Sequence, residues 1–100
     1  MVRYERSARA RNGKLLEAVK SAKEVAEYIN AKYTSVSFQV FTERFGDFGT
    51  ISLQADYKDL ASLESINAQI LADQEYWSHL RKAADLLVEG STREKLLSAV

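Results

Sequence analysis

His79 is the only histidine in the chain, and so the only side chain whose ordinary pKa lies near neutrality. Lining a pocket, it would be the natural proton carrier. It stands two residues from the only tryptophan, Trp77, in the stretch DQEYWSHL. Two residues along a helix is a turn of about 200°, so the two rings are expected to meet different neighbours. The plainer role for Trp77 is core, and for His79 a surface or boundary position. Tyr4, Tyr28, Tyr33, Phe45, Phe48, Tyr57 and Tyr76 supply rings that can stack on an aromatic ligand or simply fill a core. Tyr28 and Tyr57 stand near element ends, where a cleft between sheet and helices would open. Tyr28, Tyr57, Trp77 and His79 are therefore the candidate ligand-binding residues.

Other chemistry is thinly supplied. Asp56, Arg9 and Glu5 can form an acid–base set, because a carboxylate near an arginine has a shifted pKa and such groups gather at active sites. Structural ion pairs have the same signature. There are no cysteines, so disulfides, thiolate chemistry and zinc–thiolate sites are excluded. One histidine leaves only carboxylates as metal ligands, and Glu43, Asp47 and Asp56 lack ligand spacing. Asp47, between Gly46 and Phe48, reads as a turn residue. No metal and no cofactor is expected. Gly46 and Gly49 do not form a phosphate loop, and no serine has a nucleophile setting.

Fourteen basic residues balance fourteen acidic ones, so no net field draws nucleic acid or a membrane surface. The arginines of the N-terminal run (Arg3, Arg6, Arg9, Arg11) invite an RNA reading. Base stacking needs aromatics on an open sheet face, where Ser52, Gln54 and Asp56 are expected instead. MVRYERSARARNGK has no apolar core and is not a secretory signal. No run approaches the roughly 20 apolar residues of a membrane span. A single domain over residues 1–100, in the cytoplasm, is the expectation.

The elements that must position these residues follow from periodicity. Ser35–Tyr57 reads as a hairpin around a turn containing Gly46 and Gly49. Val36, Phe38 and Val40 share one face with Ile51, Leu53, Ala55 and Tyr57; Gln39 and Phe41 share the other with Ser52, Gln54 and Asp56. Val2–Arg11 alternates likewise, with Val2, Tyr4, Arg6, Ala8 and Ala10 opposite Arg3, Glu5, Ser7, Arg9 and Arg11. Lys14–Lys32 is helical, with a stripe of Leu15, Val19, Ala22, Ala26 and Ile29 widened by Leu16 and Val25. A second helix follows Asp59 or Ser62, and a third runs from Gln74 to about Val88 behind a cap at Asp73, whether continuous with the second or not. Gly90 reads as its stop. Thr92–Ala99 is placed as a last strand. The order β-α-β-β-α-(α)-β is the ferredoxin-like α+β arrangement, a four-stranded antiparallel sheet with helices on one face. The opposite face, with Arg9, Gln39, Phe41, Ser52 and Gln54, is then open to water or packed on a second copy.

The run from Gly13-Lys14 through AKEVAEYINAKYTSVSFQVFTERFGDFGTISLQADYKDLASLE, then DQEYWSHL and EGSTREKLL, resembles small bacterial proteins of the dimeric α/β-barrel superfamily, near its NIPSNAP-like branch. The resemblance implies a homodimer with the two sheets face to face. It brings no catalytic residue, because the superfamily spans monooxygenases, haem-degrading enzymes, isomerases, decarboxylases and members without known activity. Two functions stand side by side. One is a small-ligand-binding or structural protein of unassigned role. The other is a cofactor-independent monooxygenase- or isomerase-like enzyme acting on a small aromatic or polyketide-like substrate in the sheet–helix cleft.

Overall fold

A computed structural model describes residues 1–100. In chain order the elements are β1 (Val2–Arg9), α1 (Leu15–Lys32), β2 (Gln39–Thr42), β3 (Thr50–Tyr57), α2 (Leu60–Leu71), α3 (Gln74–Ala83), a 3-10 turn (Ala84–Leu86) and β4 (Arg93–Ser98). The strands form one antiparallel sheet in the order β2-β3-β1-β4, the ferredoxin-like arrangement expected from element order.

The register realises the alternation. Val2, Tyr4, Arg6 and Ala8 pair with Tyr57, Ala55, Leu53 and Ile51, so all eight share one face. Alternate residues such as Glu5, Gln54 and Gln39 share the other. The helices cover the first face. Val25, Ala26 and Ile29 of α1 pack with Val36, Phe38, Ala55, Tyr57, Ile70 and Tyr76 in the main core, and Ala10, Ala18 and Ile51 form a second, smaller cluster. Only 15 residues are buried. The accessible surface is 6737 Å², against about 5,700 Å² for a compact single chain of this mass. The difference reflects a flat body, 38 × 33 × 21 Å, with one sheet face uncovered.

Three details depart from the sequence reading, and one, the third below, resolves a continuity it left open. First, β2 begins at Gln39, not Ser35. Phe38's N–H donates to the Asn30 side chain (2.7 Å), and its carbonyl accepts from the Asn30 amide (2.9 Å). Val36 and Phe38 stay buried, but this stretch is held by a helix side chain and not by a strand. Second, Leu16 is 84% exposed, because it lies on the polar side of α1 with Lys20, Lys23 and Glu27. Leu60, at the open start of α2, is also exposed. Third, the helical region is broken. Asp59 caps α2 by accepting from the Ser62 N–H (2.8 Å), and Asp73 caps α3. Fourth, regular helix ends at Ala83, so Gly90 is a turn residue and no helix stop. The chain leaves the helix to pair with the end of β1. The Val88 N–H donates to the Arg9 carbonyl (2.8 Å), the Arg11 N–H to the Leu86 carbonyl (2.9 Å), and Ala10 bridges Leu87.

Candidate functional site

Beneath the helices lies a cleft of about 500 Å³. Its floor is the covered sheet face at Arg6, Ala8, Ile51 and Leu53. Ala18, Ala22 and Val25 of α1 form one wall, Leu80 and Ala83 of α3 the other, and residues 84–92 the mouth. The space exists because the sequence puts alanine at positions 8, 18, 22, 83 and 84. Elements that face each other across short side chains leave a gap larger residues would fill. The strand-like pairing of residues 86–88 with the end of β1 anchors the mouth.

Charge is sparse and uneven there. Arg6 stands on the apolar floor, with Leu53 and Glu94 across from it on the flanking strands. Glu94 is engaged, since its Oε2 accepts from the Tyr4 hydroxyl at 2.5 Å. Burial first, and this bond second, raise the Tyr4 pKa, while Arg6 opposes the rise. The chain's four ion pairs are Arg3–Asp56, Arg9–Asp47, Lys14–Glu17 and Lys32–Asp73. None involves Arg6. Arg11, Asp85 and Glu89 stand at the mouth, where Arg11 Nε donates to the Leu87 carbonyl (3.0 Å).

The histidine and tryptophan lie elsewhere. The His79 ring packs on Tyr28, with centroids 5.1 Å apart. Trp77 points another way, as the 200° offset requires. Its indole N–H donates to the Leu71 carbonyl (2.8 Å), and its ring lies edge-on to Tyr76. At 38% exposure it is not core. Tyr57 is buried among the core residues, and burial pushes its pKa up to about 12. Thus Tyr28 and His79 meet, Trp77 and Tyr57 stand apart from them, and none of the four lines the cleft.

Tyr28 belongs instead to a network centred on Asp73. The Asp73 carboxylate is buried and accepts five hydrogen bonds. Tyr28 Oη (2.6 Å), Lys32 Nζ (2.9 Å) and Tyr33 Oη (2.9 Å) donate to one oxygen, and the N–H groups of Glu75 (3.0 Å) and Tyr76 (3.4 Å) to the other. The bonds from Tyr28 and Lys32 outweigh burial and hold its pKa well below the carboxylate range. Lys32 is raised by the same contact. This arrangement ties the start of α3 to the end of α1. Every oxygen is committed within the protein, which suits a structural clamp and not an acid–base catalyst.

On the open face Arg9, Gln39, Phe41, Ser52 and Gln54 are assembled as the alternation requires. Gln39, Gln54 and Glu5 form one cross-strand row; Phe41, Ser52, Ser7 and Arg93 form the next. Phe41 is 45% exposed and Leu97, further along the face, 49%. The Asp56–Arg9–Glu5 set is not formed. Asp56 takes a two-pronged bond from Arg3 (2.7 and 3.0 Å), which lowers its pKa. Arg9 reaches Asp47 in the hairpin turn (2.7 Å). Both pairs are about half exposed and contribute little to stability.

The cleft residue that sequence reasoning passed over is Arg6. Its signal was present: it is the single charge in the row Val2, Tyr4, Arg6, Ala8, Ala10. The lining alanines carried no signal, because alanine is as common in a packed core as in a void.

No protein-family profile matches the chain, and no curated protein is similar to it in sequence. Solved structures match its fold. An uncharacterised NIPSNAP domain protein from Burkholderia xenovorans superposes with a TM-score of 0.82 at 17% identity, covering 100% of this chain and 95% of that one. A NIPSNAP family protein from Agrobacterium tumefaciens gives 0.79 at 20% identity, over 99% and 92%. A cofactor-independent oxygenase from Streptomyces nogalater, in mutant form, gives 0.70 at 16% identity, over 98% and 91%. The fold is therefore that of NIPSNAP-type proteins, the one the resemblance implied.

Proposed function

We propose that this chain is a small-ligand-binding protein of the cytoplasm that works as a homodimer, each copy holding an apolar ligand in its own cleft. The cleft carries the reading. At about 500 Å³ it falls within the range of small-molecule sites, roughly 300–1,000 Å³, and its walls are predominantly apolar. The dimer rests on the open face. A ring, Phe41, stands beside two small residues, Ser52 and Ser7, so the face offers both a projection and a hollow. A two-fold axis brings each projection to the partner's hollow. The surface in excess of a compact chain is what such an interface would remove from water. The lack of cysteine suits a reducing compartment.

A second reading is a cofactor-independent enzyme acting on a small aromatic or polyketide-like substrate in the same cleft. The fold shared with the Streptomyces oxygenase favours it, and an enclosed pocket is its minimum requirement.

Two measurements test the proposal. Light scattering on micromolar protein is expected to give twice the 11.3 kDa chain mass; a monomer there removes the dimer. Ala22→Leu is expected to fill part of the cleft, weakening the neutral fluorescent probe N-phenyl-1-naphthylamine by roughly tenfold while the melting temperature holds, since new apolar contacts offset overpacking. Undiminished probe binding would place the ligand elsewhere.

A further inference from the structure

We infer that the cleft is built for an apolar monocarboxylic acid, with the Arg6 guanidinium as its carboxylate anchor. This rests on the reading of the cleft as a ligand site and adds the chemical class of the ligand.

Arg6 is part-buried on a covered sheet face between Tyr4 and Ala8. An arginine drawn out of water normally has a carboxylate partner, because burying an unpaired charge is costly. No carboxylate lies within ion-pair distance of Arg6. Glu94, the acid across from it on β4, has an oxygen occupied by the Tyr4 hydroxyl. Arg6 thus lines the cleft with the neutral Tyr4 hydroxyl as its polar neighbour and no carboxylate of its own, beside a floor and walls of alanine, valine, isoleucine and leucine.

The anion's chemistry follows from the surroundings. A guanidinium offers a planar pair of N–H donors that matches the two oxygens of a carboxylate. The mouth carries Asp85 and Glu89 against Arg11, whose Nε is already bonded to the Leu87 carbonyl. Those two acids repel a dianion such as a phosphate monoester and tolerate a single charge placed deep at Arg6. The alkyl or aryl body then lies along Ala8, Ala22, Leu53 and Leu80.

The test titrates the full chain with 2-naphthoate and with its neutral isostere, 2-naphthamide. In wild type the acid should bind more tightly by roughly tenfold or more, the scale of hydrogen bonds to a charged group. Arg6→Gln should abolish that preference while amide affinity holds within about twofold, because the apolar walls are unchanged. Should Arg6→Gln not fold, the guanidinium N–H resonances of wild-type Arg6 serve instead: they should move with the acid and stay still with the amide. Equal binding of acid and amide to wild type, a preference that survives in Arg6→Gln, or unmoved resonances would each overturn the Arg6 anchor and leave the cleft standing as a ligand site. Binding of neither compound would overturn both.

Discussion

Phe41→Asp is expected to weaken self-association about a thousandfold and to leave the monomer folded. A well-packed interface aromatic is worth roughly 2 kcal/mol or more, and a two-fold interface loses two of them, which together give about three decades in Kd. The single chain has little at stake, because Phe41 is already 45% exposed and sits on a four-residue edge strand. His79→Ala is the matched control. His79 stacks on Tyr28 on the helix side of the molecule, away from the open face, so the dimer constant should not move. Sedimentation equilibrium on both variants decides the matter. Equal dissociation constants would take Phe41 out of the interface.

The second large effect belongs to Asp73→Ala. The substitution removes the cap from the first N–H groups of α3, leaves the Tyr28 hydroxyl without its acceptor, and leaves Tyr33 and Lys32 only their longer bonds to the Gln69 carbonyl (3.4 Å) and Tyr28 Oη (3.2 Å). Loss of a cap together with an orphaned hydroxyl and these weakened contacts should lower the melting temperature by roughly 10–20 °C. Asp73→Asn keeps a capping oxygen and should lose about half as much. The charge also sets a pH signature. Asp73 has a folded pKa depressed far below its unfolded value of about 3.9, so its contribution is complete above about pH 4 and is lost as pH falls toward the folded value. Wild-type stability should therefore drop more steeply than that of Asp73→Asn between about pH 5 and pH 2. Thermal unfolding followed by circular dichroism checks both statements. An unchanged melting temperature in Asp73→Ala, or parallel acid limbs for wild type and Asp73→Asn, would reduce the network to a surface decoration.

Much of the frame could be read directly because its signals are local. Strict alternation in Thr50–Tyr57 and Val2–Arg9 fixes which residues face the helices, and the register keeps those assignments. Asp59 and Asp73 announce helix starts because a capping carboxylate acts within three residues. What escaped depends on distant partners. Asn30 takes over the backbone of Phe38, eight residues away. The end of β1 draws Leu87 and Val88 out of a helical pattern that would otherwise have continued to them. Trp77 stays half outside because its N–H reaches a carbonyl in the preceding helix. The cleft was the least legible part, since it is defined by side chains that are absent. Tyrosines and the histidine carry the recognisable chemistry, while the space opens where alanines of β1, α1 and α3 face one another.

The Asn30 clasp on Phe38 bears on how the sheet survives at high concentration in a cell. β2 and β4 are the two outer strands, and an outer strand with free backbone groups can template a foreign strand and seed aggregation. On one side the pairing-competent stretch is cut to four residues, and the next backbone donor and acceptor are already taken by an asparagine. On the other, Arg93, Glu94 and Lys95 load the strand with charge. Both borders are thus poor recruits for edge-to-edge growth.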